Sequence, residues 1–308
     1  MRKDYFRDYY TFVTKKDKQK LEEVLSSQSG DYESCPFCLG SEKLNPVEIT
    51  RITKGSHWQV RVFPNPNPLT AEVKEEPKSP WKHEKTESYE EIIVDTPNHF
   101  QRTHQLEIGE LKILLGVIKE RVKEVRGKDK VEYVSVFQNC GFWSGATDRH
   151  SHFQLVAFAK TPPKIKEKIH QSSHGSCVYC HIVSQEENSP RKVLENNSFL
   201  AFCPWAPEQT HELWIAPKKH LRNLNDLSDR DMLALAEIFK GSLEAVNRIC
   251  DDYSVIFNIG PEGENFHFHI EIFPYYNERY YGNLKIREGY YFVTNTPEQS
   301  AKIYRGEA

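Results

Sequence analysis

The stretch NCGFWSGATDRHSHFQ, residues 139–154, is the one around which the rest of the sequence is organised. An alternating run at residues 133–137 precedes it and predicts a half-buried strand. Where a chain is extended, alternate residues share a face, so His150, His152 and Gln154 point the same way. Two imidazoles and an amide beside a glycine-rich loop suit chemistry on a phosphate, because an imidazole can act as ligand or nucleophile and an amide can hold a phosphoryl oxygen. A lone His-x-His, however, is more often a pair of hydrogen-bonded polar residues on a sheet.

The composition excludes several classes of protein. A formal net charge of −3, with no basic cluster apart from acidic neighbours, gives no electrostatic footprint for nucleic acid, so no nucleic-acid partner is expected. The N-terminus has no apolar signal region, and no stretch approaches the ~20 apolar residues of a membrane span. We therefore expect a cytoplasmic protein without membrane contact.

Cysteine spacing favours metal binding. The chain has seven cysteines, of which four form two Cys-x-x-Cys pairs, at residues 35–38 and 177–180. An odd count without a secretion signal argues against a disulfide framework. A thioredoxin-like reading needs the motif inside a βαβ unit, and neither pair is set in one.

The order of motifs repeats along the chain. Each half runs through Cys-x-x-Cys, a strand, a proline followed closely by a histidine, a helix, a strand ending in asparagine, a glycine loop and His-x-His. This order indicates an internal duplication, and we place the division at residues 1–165 and 166–308.

The two predicted helices carry much of that pattern. One spans about residues 106–125, and the other about residues 228–249 with Ser228 as its N-cap. Residues 161–176 are expected to be a linker between the halves.

Each half offers two thiolates and two histidines, enough for a closed tetrahedral Cys2His2 zinc site. The predicted ligands are Cys35, Cys38, His99 and His150 in the first half, and Cys177, Cys180, His220 and His267 in the second. The competing interpretation is that His99 or His220 only ends a strand. Zinc is preferred because soft sulfur and nitrogen ligands suit it. A metal on His150 would also orient His152 on the same face.

These motifs resemble the galactose-1-phosphate uridylyltransferase family, a branch of the histidine-triad superfamily. The matching segments are CPFC (35–38), PNH (97–99), NCGFWSG (139–145), HSHFQ (150–154), FCPW (202–205) and ELWIAPKKH (212–220). The resemblance implies an α+β fold of two histidine-triad-like repeats, each an antiparallel sheet with packed helices, and a homodimer. It also implies a ping-pong transfer of a nucleoside monophosphate between a nucleotide sugar, or a similar donor, and a phosphate-bearing acceptor.

The resemblance assigns residues to this reaction. His152 would attack the α-phosphorus of the donor, and Gln154 would hold its oxygens. The residues expected to line the phosphates are Asn139, Gly145, Ala146 and Thr147, and Asn65 falls where the family holds the nucleoside. The second half has Glu271 where the first has Gln154, so the chemistry is assigned to the first half.

Four positions depart from the galactose enzyme. Asp17 and Lys20 stand in place of arginines that hold the acceptor phosphate, Pro66 in place of an aspartate, and Tyr291 in place of a hexose-binding glutamate. The sequence therefore also resembles ADP-glucose phosphorylase and adenylylsulfate:phosphate adenylyltransferases.

Two other classes of function fit the sequence less well. A non-catalytic, zinc-stabilised nucleotide-binding protein would not need both His152 and Gln154. A dinucleoside polyphosphate hydrolase carries a further histidine where this chain has Gln154, and glutamine cannot shuttle a proton to water.

Overall fold

The computed structural model describes residues 2–3, 10–11, 34–68, 89–172, 177–275 and 290–307. Asp17 and Lys20 therefore lie outside the described residues. The strands are β1 (Arg2–Lys3), β2 (Tyr10–Thr11), β3 (Thr50–Lys54), β4 (His57–Pro64), β5 (Tyr89–Val94), β6 (Tyr133–Cys140), β7 (His152–Phe158), β8 (Lys192–Glu195), β9 (Phe199–Phe202), β10 (Leu213–Pro217), β11 (Tyr253–Asn258) and β12 (His269–Pro274). The helices are α1 (Ile108–Arg126), α2 (Pro163–Ser172), α3 (Val178–Glu186), α4 (Asp229–Asn247) and α5 (Pro297–Arg305).

Strands β3 to β12 form a single antiparallel sheet in the order β3-β4-β5-β7-β6-β11-β12-β10-β9-β8. From the outer edge inwards, the first half has the order β3-β4-β5-β7-β6 and the second has the equivalent order β8-β9-β10-β12-β11. The halves meet where β6 pairs with β11. This symmetry confirms the predicted α+β fold of two histidine-triad-like repeats. The division at residues 165 and 166 into two domains stays a prediction.

The two faces of the sheet bury different groups. On β5, Ile93 joins the main core beneath α1 and α4, while Ile92 and Val94 face a smaller cluster that holds Cys38. Because alternate strand residues point to opposite faces, α1 and α4 cover one face and the first Cys-x-x-Cys loop lies on the other.

The predicted helices are present with slightly different ends. Ser228 caps α4 as expected: its hydroxyl accepts a hydrogen bond from the backbone N–H of Asp231 at 3.2 Å, and the Asp231 carboxylate accepts the Ser228 N–H at 3.2 Å. Such reciprocal caps satisfy backbone donors that the first turn leaves unpaired.

The linker prediction for residues 161–176 is wrong over most of its length, because α2 occupies residues 163–172. Ile165 and Ile169 lie one turn apart on this helix and pack with Tyr133 and Phe266. One apolar pair among lysines is too weak a periodicity to identify a helix from sequence, and the packing partners come from distant strands.

In the parts of the chain that the structure describes, no helix has both the length and the apolar character needed to cross a bilayer.

Candidate active site and metal centres

The four predicted ligands of the first repeat lie together. Cys35 and Cys38 come from the loop before β3, His99 from the turn after β5, and His150 from just before β7. Their ligand atoms all lie within 4.8 Å of one another. The Sγ of Cys38 is 3.4 Å from Nδ1 of His99 and 3.6 Å from Nδ1 of His150, and the Sγ of Cys35 is 3.5 Å from Nδ1 of His150.

The second repeat forms a matching cluster from Cys177, Cys180, His220 and His267, again with ligand atoms within 4.8 Å of one another. The Sγ of Cys180 is 3.4 Å from Nδ1 of His220 and 3.5 Å from Nδ1 of His267. The Sγ of Cys177 is 3.8 Å from Nδ1 of His267. Both predicted sets of ligands are therefore brought together.

These separations fit a tetrahedral ion. Metal–sulfur bonds of about 2.3 Å and metal–nitrogen bonds of about 2.0 Å put neighbouring sulfur and nitrogen ligands about 3.5 Å apart in a tetrahedron. The sulfur–nitrogen distances of 3.4 to 3.8 Å in the two clusters lie close to that value. Each group could hold a metal ion.

Hydrogen bonds orient one imidazole in each cluster. The Nε2 of His150 is 2.7 Å from the carbonyl oxygen of Thr96, and the Nε2 of His267 is 2.9 Å from that of Pro217. A carbonyl only accepts, so Nε2–H donates and the Nδ1 lone pair points at the cysteine sulfurs. Such outer hydrogen bonds are typical of metal-bound histidines.

Burial shifts the pKa of the thiols and imidazoles in both clusters. It raises the pKa of the Cys38 thiol to about 12, with Cys35 acting in the same direction, and that of Cys180 to about 11. It lowers the pKa of His150 and of His267 to about 4. The imidazoles are therefore neutral ligands, whereas the thiols lose their protons only when a metal takes their place.

His152, the predicted nucleophile, begins β7 and is 6% exposed. Its Nδ1 is 2.8 Å from the carbonyl oxygen of His150, so Nδ1–H donates and Nε2 carries the free lone pair. The ring of Phe37, between the two cysteines, meets the His152 ring edge-on with centroids 5.1 Å apart. The metal ligands and the candidate nucleophile are thus joined by one backbone carbonyl and one aromatic contact.

Gln154 lies two residues further along β7 on the same face. Its register partners are Ile92 on β5 and Phe137 on β6. The row continues across the sheet through Ile256 to Glu271. The glutamine of the first repeat and the glutamate of the second therefore occupy equivalent positions in one sheet.

The glycine loop after β6 is braced by the second repeat. Gly141 has a φ of +85°, and a Cβ there would lie 1.9 Å from the carboxylate of Asp252, so only glycine fits. The other Asp252 oxygen accepts the backbone N–H of Trp143 at 2.7 Å. Further along, Gly145 has a φ of +83°.

The remaining predicted phosphate and nucleoside residues are found near this loop or beyond β4. Asn139 lies near the end of β6 and accepts the hydroxyl of Ser254 at 3.0 Å. Ala146 N–H is 3.4 Å from the Gly141 carbonyl, and the Thr147 hydroxyl donates to the neighbouring Asp148 at 2.9 Å. Asn65 follows β4 and is half-buried.

The side chain of Asn65 is engaged locally. Its amide nitrogen donates to Glu90 at 3.2 Å, and its oxygen accepts the backbone N–H of Asn67 at 2.9 Å. Pro66 follows it in the turn, and Tyr291 is exposed in the C-terminal segment.

A buried polar network beneath the His-x-His segment was not anticipated. Asp95 accepts hydrogen bonds from Thr103 at 2.7 Å and from Ser151 at 2.8 Å, and Gln138 donates to both of those hydroxyls. Burial raises the pKa of Asp95, although both hydroxyls oppose this shift. Ser151 stands between the two histidines, so the network anchors their strand to β5 and β6. Its four members are scattered along the sequence, and no local pattern links them.

The second repeat also contains residues that sequence reasoning did not single out. Lys168 on α2 reaches Glu271 at 2.7 Å. Although burial raises the pKa of Glu271, contact with His269 and the charge of Lys168 hold it at about 2. Lys168 lay within the supposed linker, which is why it was missed.

The chain is similar to several known proteins. The family described as "Scavenger mRNA decapping enzyme C-term binding" matches residues 176–279. An ADP-glucose phosphorylase of Arabidopsis thaliana is 25% identical over 88% of this chain and 81% of its own length. A galactose-1-phosphate uridylyltransferase of Thermotoga maritima is 27% identical over 78% of this chain and 77% of its own. A solved uridylyltransferase superposes with a TM-score of 0.83 and 25% identity, covering 99% of this chain and 97% of that one.

The two-repeat fold and these relatives define the class: the chain is a nucleotidyltransferase, as predicted. Within that class, the resemblance to the galactose-1-phosphate uridylyltransferase family, including its ADP-glucose phosphorylase-like members, is confirmed.

Proposed function

We propose that this chain moves a nucleoside monophosphate from a nucleotide sugar, or a similar diphosphate or anhydride donor, to a phosphate-bearing acceptor such as a hexose 1-phosphate. The transfer runs through a covalent nucleotidyl-histidine at His152. The observation that carries the proposal is the 2.8 Å hydrogen bond from Nδ1 of His152 to the His150 carbonyl, which leaves Nε2 as an oriented nucleophile. The names of the relatives support the substrate class.

In the first step, Nε2 of His152 attacks the α-phosphorus. An N–P bond forms, the phosphorus–oxygen bond of the donor anhydride breaks, and the sugar phosphate leaves. In the second step, an oxygen of the acceptor phosphate attacks the same phosphorus and the N–P bond breaks. The carbonyl of His150 holds the Nδ1 proton throughout and stabilises the positive charge on the ring of the intermediate.

The neighbouring residues have supporting roles in this proposal. Gln154 donates its amide to the phosphoryl oxygens, since it follows His152 on the same face of β7. Asn139 and the loop residues Gly145, Ala146 and Thr147 line the phosphates. Asn65 holds the nucleoside, which requires its side chain to exchange the Glu90 contact for the ligand.

We propose zinc in both Cys2His2 clusters, on the softness of the donors and the tetrahedral spacing of their atoms. Bound zinc would act structurally: with four protein ligands it has no open position for substrate. In the first repeat it would fix the ring of His150, and with it the carbonyl that orients His152.

The base and the acceptor distinguish two forms of this function. Uridylyl transfer to a hexose 1-phosphate is the main form, and adenylyl transfer to phosphate or sulfate is the alternative. The departures at Pro66 and Tyr291, which replace acidic groups of the galactose enzyme, are the reason for keeping the alternative beside the main form.

The test is mass spectrometry of the purified protein after incubation with UDP-glucose, ADP-glucose or adenylyl sulfate, each alone. A uridylyl or adenylyl adduct on the peptide that holds His152 is the expected result, and the donor that gives it identifies the base. His152→Ala should lose the adduct, while His57→Ala, which changes an exposed histidine on β4, should keep it.

Nucleotide binding without any adduct would instead support the non-catalytic binding protein. Full turnover by a folded His152→Ala would refute the covalent mechanism.

We also propose that the protein is a cytoplasmic homodimer. The cysteines of its ligand sets, which form no disulfides, support this location because a reducing compartment preserves them. Light scattering of the purified protein tests the dimer, and a mass of one chain at working concentration would exclude it.

A further inference from the structure

The second repeat contains a buried copy of the residues that surround His152. Phe137 pairs with Gln154 in the first repeat, and Ile256 pairs with Glu271 in the second. Two residues further along each strand stand Asn139 on β6 and Asn258 on β11, and Asn258 pairs with His269. Asn258, His269 and Glu271 are therefore the counterparts of Asn139, His152 and Gln154.

The nucleophile position is preserved in this copy. The Nδ1 of His269 is 2.8 Å from the carbonyl of His267, matching the 2.8 Å contact of His152 with the carbonyl of His150. Nδ1–H therefore donates, and Nε2 of His269 faces the carboxylate of Glu271 at 3.2 Å. The ring of Tyr179, between the second pair of cysteines, stacks on His269 with centroids 4.5 Å apart, as Phe37 contacts His152 in the first repeat.

The difference lies at Lys168. Its Nζ is 2.7 Å from the carboxylate of Glu271, 3.1 Å from Oδ1 of Asn258 and 3.5 Å from Nε2 of His269. The carboxylate of Glu271 and the oxygen of Asn258 accept N–H groups of the ammonium. Lys168 and Glu271 thus together occupy the place in front of Nε2 where a phosphorus atom would have to approach.

The orientation of the Asn258 amide is consistent with a cation in the place of a phosphate. Its oxygen faces Lys168, while its nitrogen is buried without a hydrogen-bond partner. A buried donor left unpaired is costly, and an amide donor at this position is what a phosphate oxygen would use.

We propose that the second repeat is a silenced copy of the nucleotidyl site, in which the ion pair of Lys168 and Glu271 caps Nε2 of His269 and confines covalent chemistry to His152. This cap stands where the first repeat would hold an anionic phosphate. Glu271 in place of glutamine is part of the cap, because its carboxylate contacts Nε2 and neutralises the half-buried ammonium. The assignment of the copied residues depends on the proposed function of His152.

Phosphoramidate tests the cap without using any nucleotide. This reagent phosphorylates neutral imidazoles: the nitrogen–phosphorus bond to the ring forms, the phosphorus–nitrogen bond of the reagent breaks, and ammonia leaves. The Lys168 side chain is 24% exposed, so Lys168→Ala/Glu271→Gln, which removes both charged contacts of Nε2, opens a path from solvent to His269. Peptide mapping should find His269 labelled about tenfold more in this variant than in wild type, since its charged hydrogen-bond partners are lost.

Lys164→Ala is the matched control. Lys164 lies one turn earlier on α2 and donates to Glu208 at 3.1 Å, whereas Lys168 donates to Glu271, so this variant should label like wild type. If the double variant does not fold, Lys168→Met/Glu271→Gln fills more of the vacated space and should label at His269 in the same way.

Labelling of His269 in native wild type to the level of the double variant would overturn the proposal. So would the absence of increased labelling in folded double variants. Neither result bears on the adduct of His152 with a nucleotide donor, so failure of the cap and failure of the proposed function are separate outcomes.

Discussion

Gln154→Glu is the substitution that most directly tests why the two repeats differ. It keeps the shape of the side chain but replaces an amide donor with a carboxylate, as the second repeat has at Glu271. There, Lys168 lies 2.7 Å away and neutralises the charge. Residue 154 has the apolar Ile92 and Phe137 as its register partners, and neither can do so.

The size of the effect follows from the expected distance to the phosphate. Two like charges about 4 Å apart repel by about 4 kcal/mol at an effective dielectric constant of about 20. That corresponds to a loss of about 10³-fold in the rate of nucleotidyl transfer. Gln154→Ala removes only the donor and should cost about 10²-fold, at the lower end of what one oxyanion donor contributes.

The assay is rapid-quench measurement of the covalent nucleotidyl-protein, with steady-state turnover alongside. Metal content and thermal stability of both variants should match wild type, because Gln154 is half-buried and belongs to neither cluster. If Gln154→Glu reacts as fast as Gln154→Ala, charge at this position has no influence on the transfer. Our explanation for the single active repeat would then be wrong.

Three further predictions concern the metal, the sheet and acid stability. Elemental analysis should find two zinc ions per chain in wild type and one in Cys38→Ser. The control variant Cys250→Ser changes a cysteine outside both clusters and should retain two. Unchanged zinc content in Cys38→Ser would exclude that cysteine as a ligand. Glu91→Ala should lower the free energy of unfolding in urea by about 3 kcal/mol, because Glu91 is the buried partner of Arg121 at 2.7 Å, with both side chains 5% exposed, and the guanidinium would keep the exposed carboxylate of Glu124 as its partner. Arg121→Met in the same chain should recover most of the loss. A double variant as unstable as the single would contradict this account. Burial would raise the pKa of Glu271, but its imidazole and lysine neighbours hold that pKa at about 2, below its ordinary value of 4.5. The ionised carboxylate therefore contributes about 3 kcal/mol to the free energy of unfolding above pH 4.5, and this contribution is lost as the pH falls towards 2. Unfolding measured across that range should therefore depend less on pH in Glu271→Gln, and an unchanged dependence would argue against the ion pair.

Several features could be predicted because they depend on local chemistry. The N-cap at Ser228 follows from a hydroxyl and a carboxylate three residues apart. The two ligand sets follow from residue types that bind soft metals, found twice in the same order. The shared face of His152 and Gln154 follows from the period of a strand, which needs no knowledge of the rest of the fold.

The rest of the fold and of the site depends on pairing between strands that are distant in the sequence. Nothing in the sequence indicates that β6 and β11 join the repeats into one sheet, because antiparallel pairing depends on backbone groups that every residue carries. The same pairing puts Gln154 and Glu271 in one row and lets Asp252 brace the loop at Gly141.

The sequence by itself determined which residues can bind metal, since spacing and side-chain chemistry suffice for this, whereas the choice of His152 as nucleophile came from the family resemblance and stays a prediction. Only the tertiary structure decided that Lys168 caps His269. That contact joins residues about a hundred positions apart, through a helix whose weak periodicity hides it until the sheet provides a surface on which it can pack.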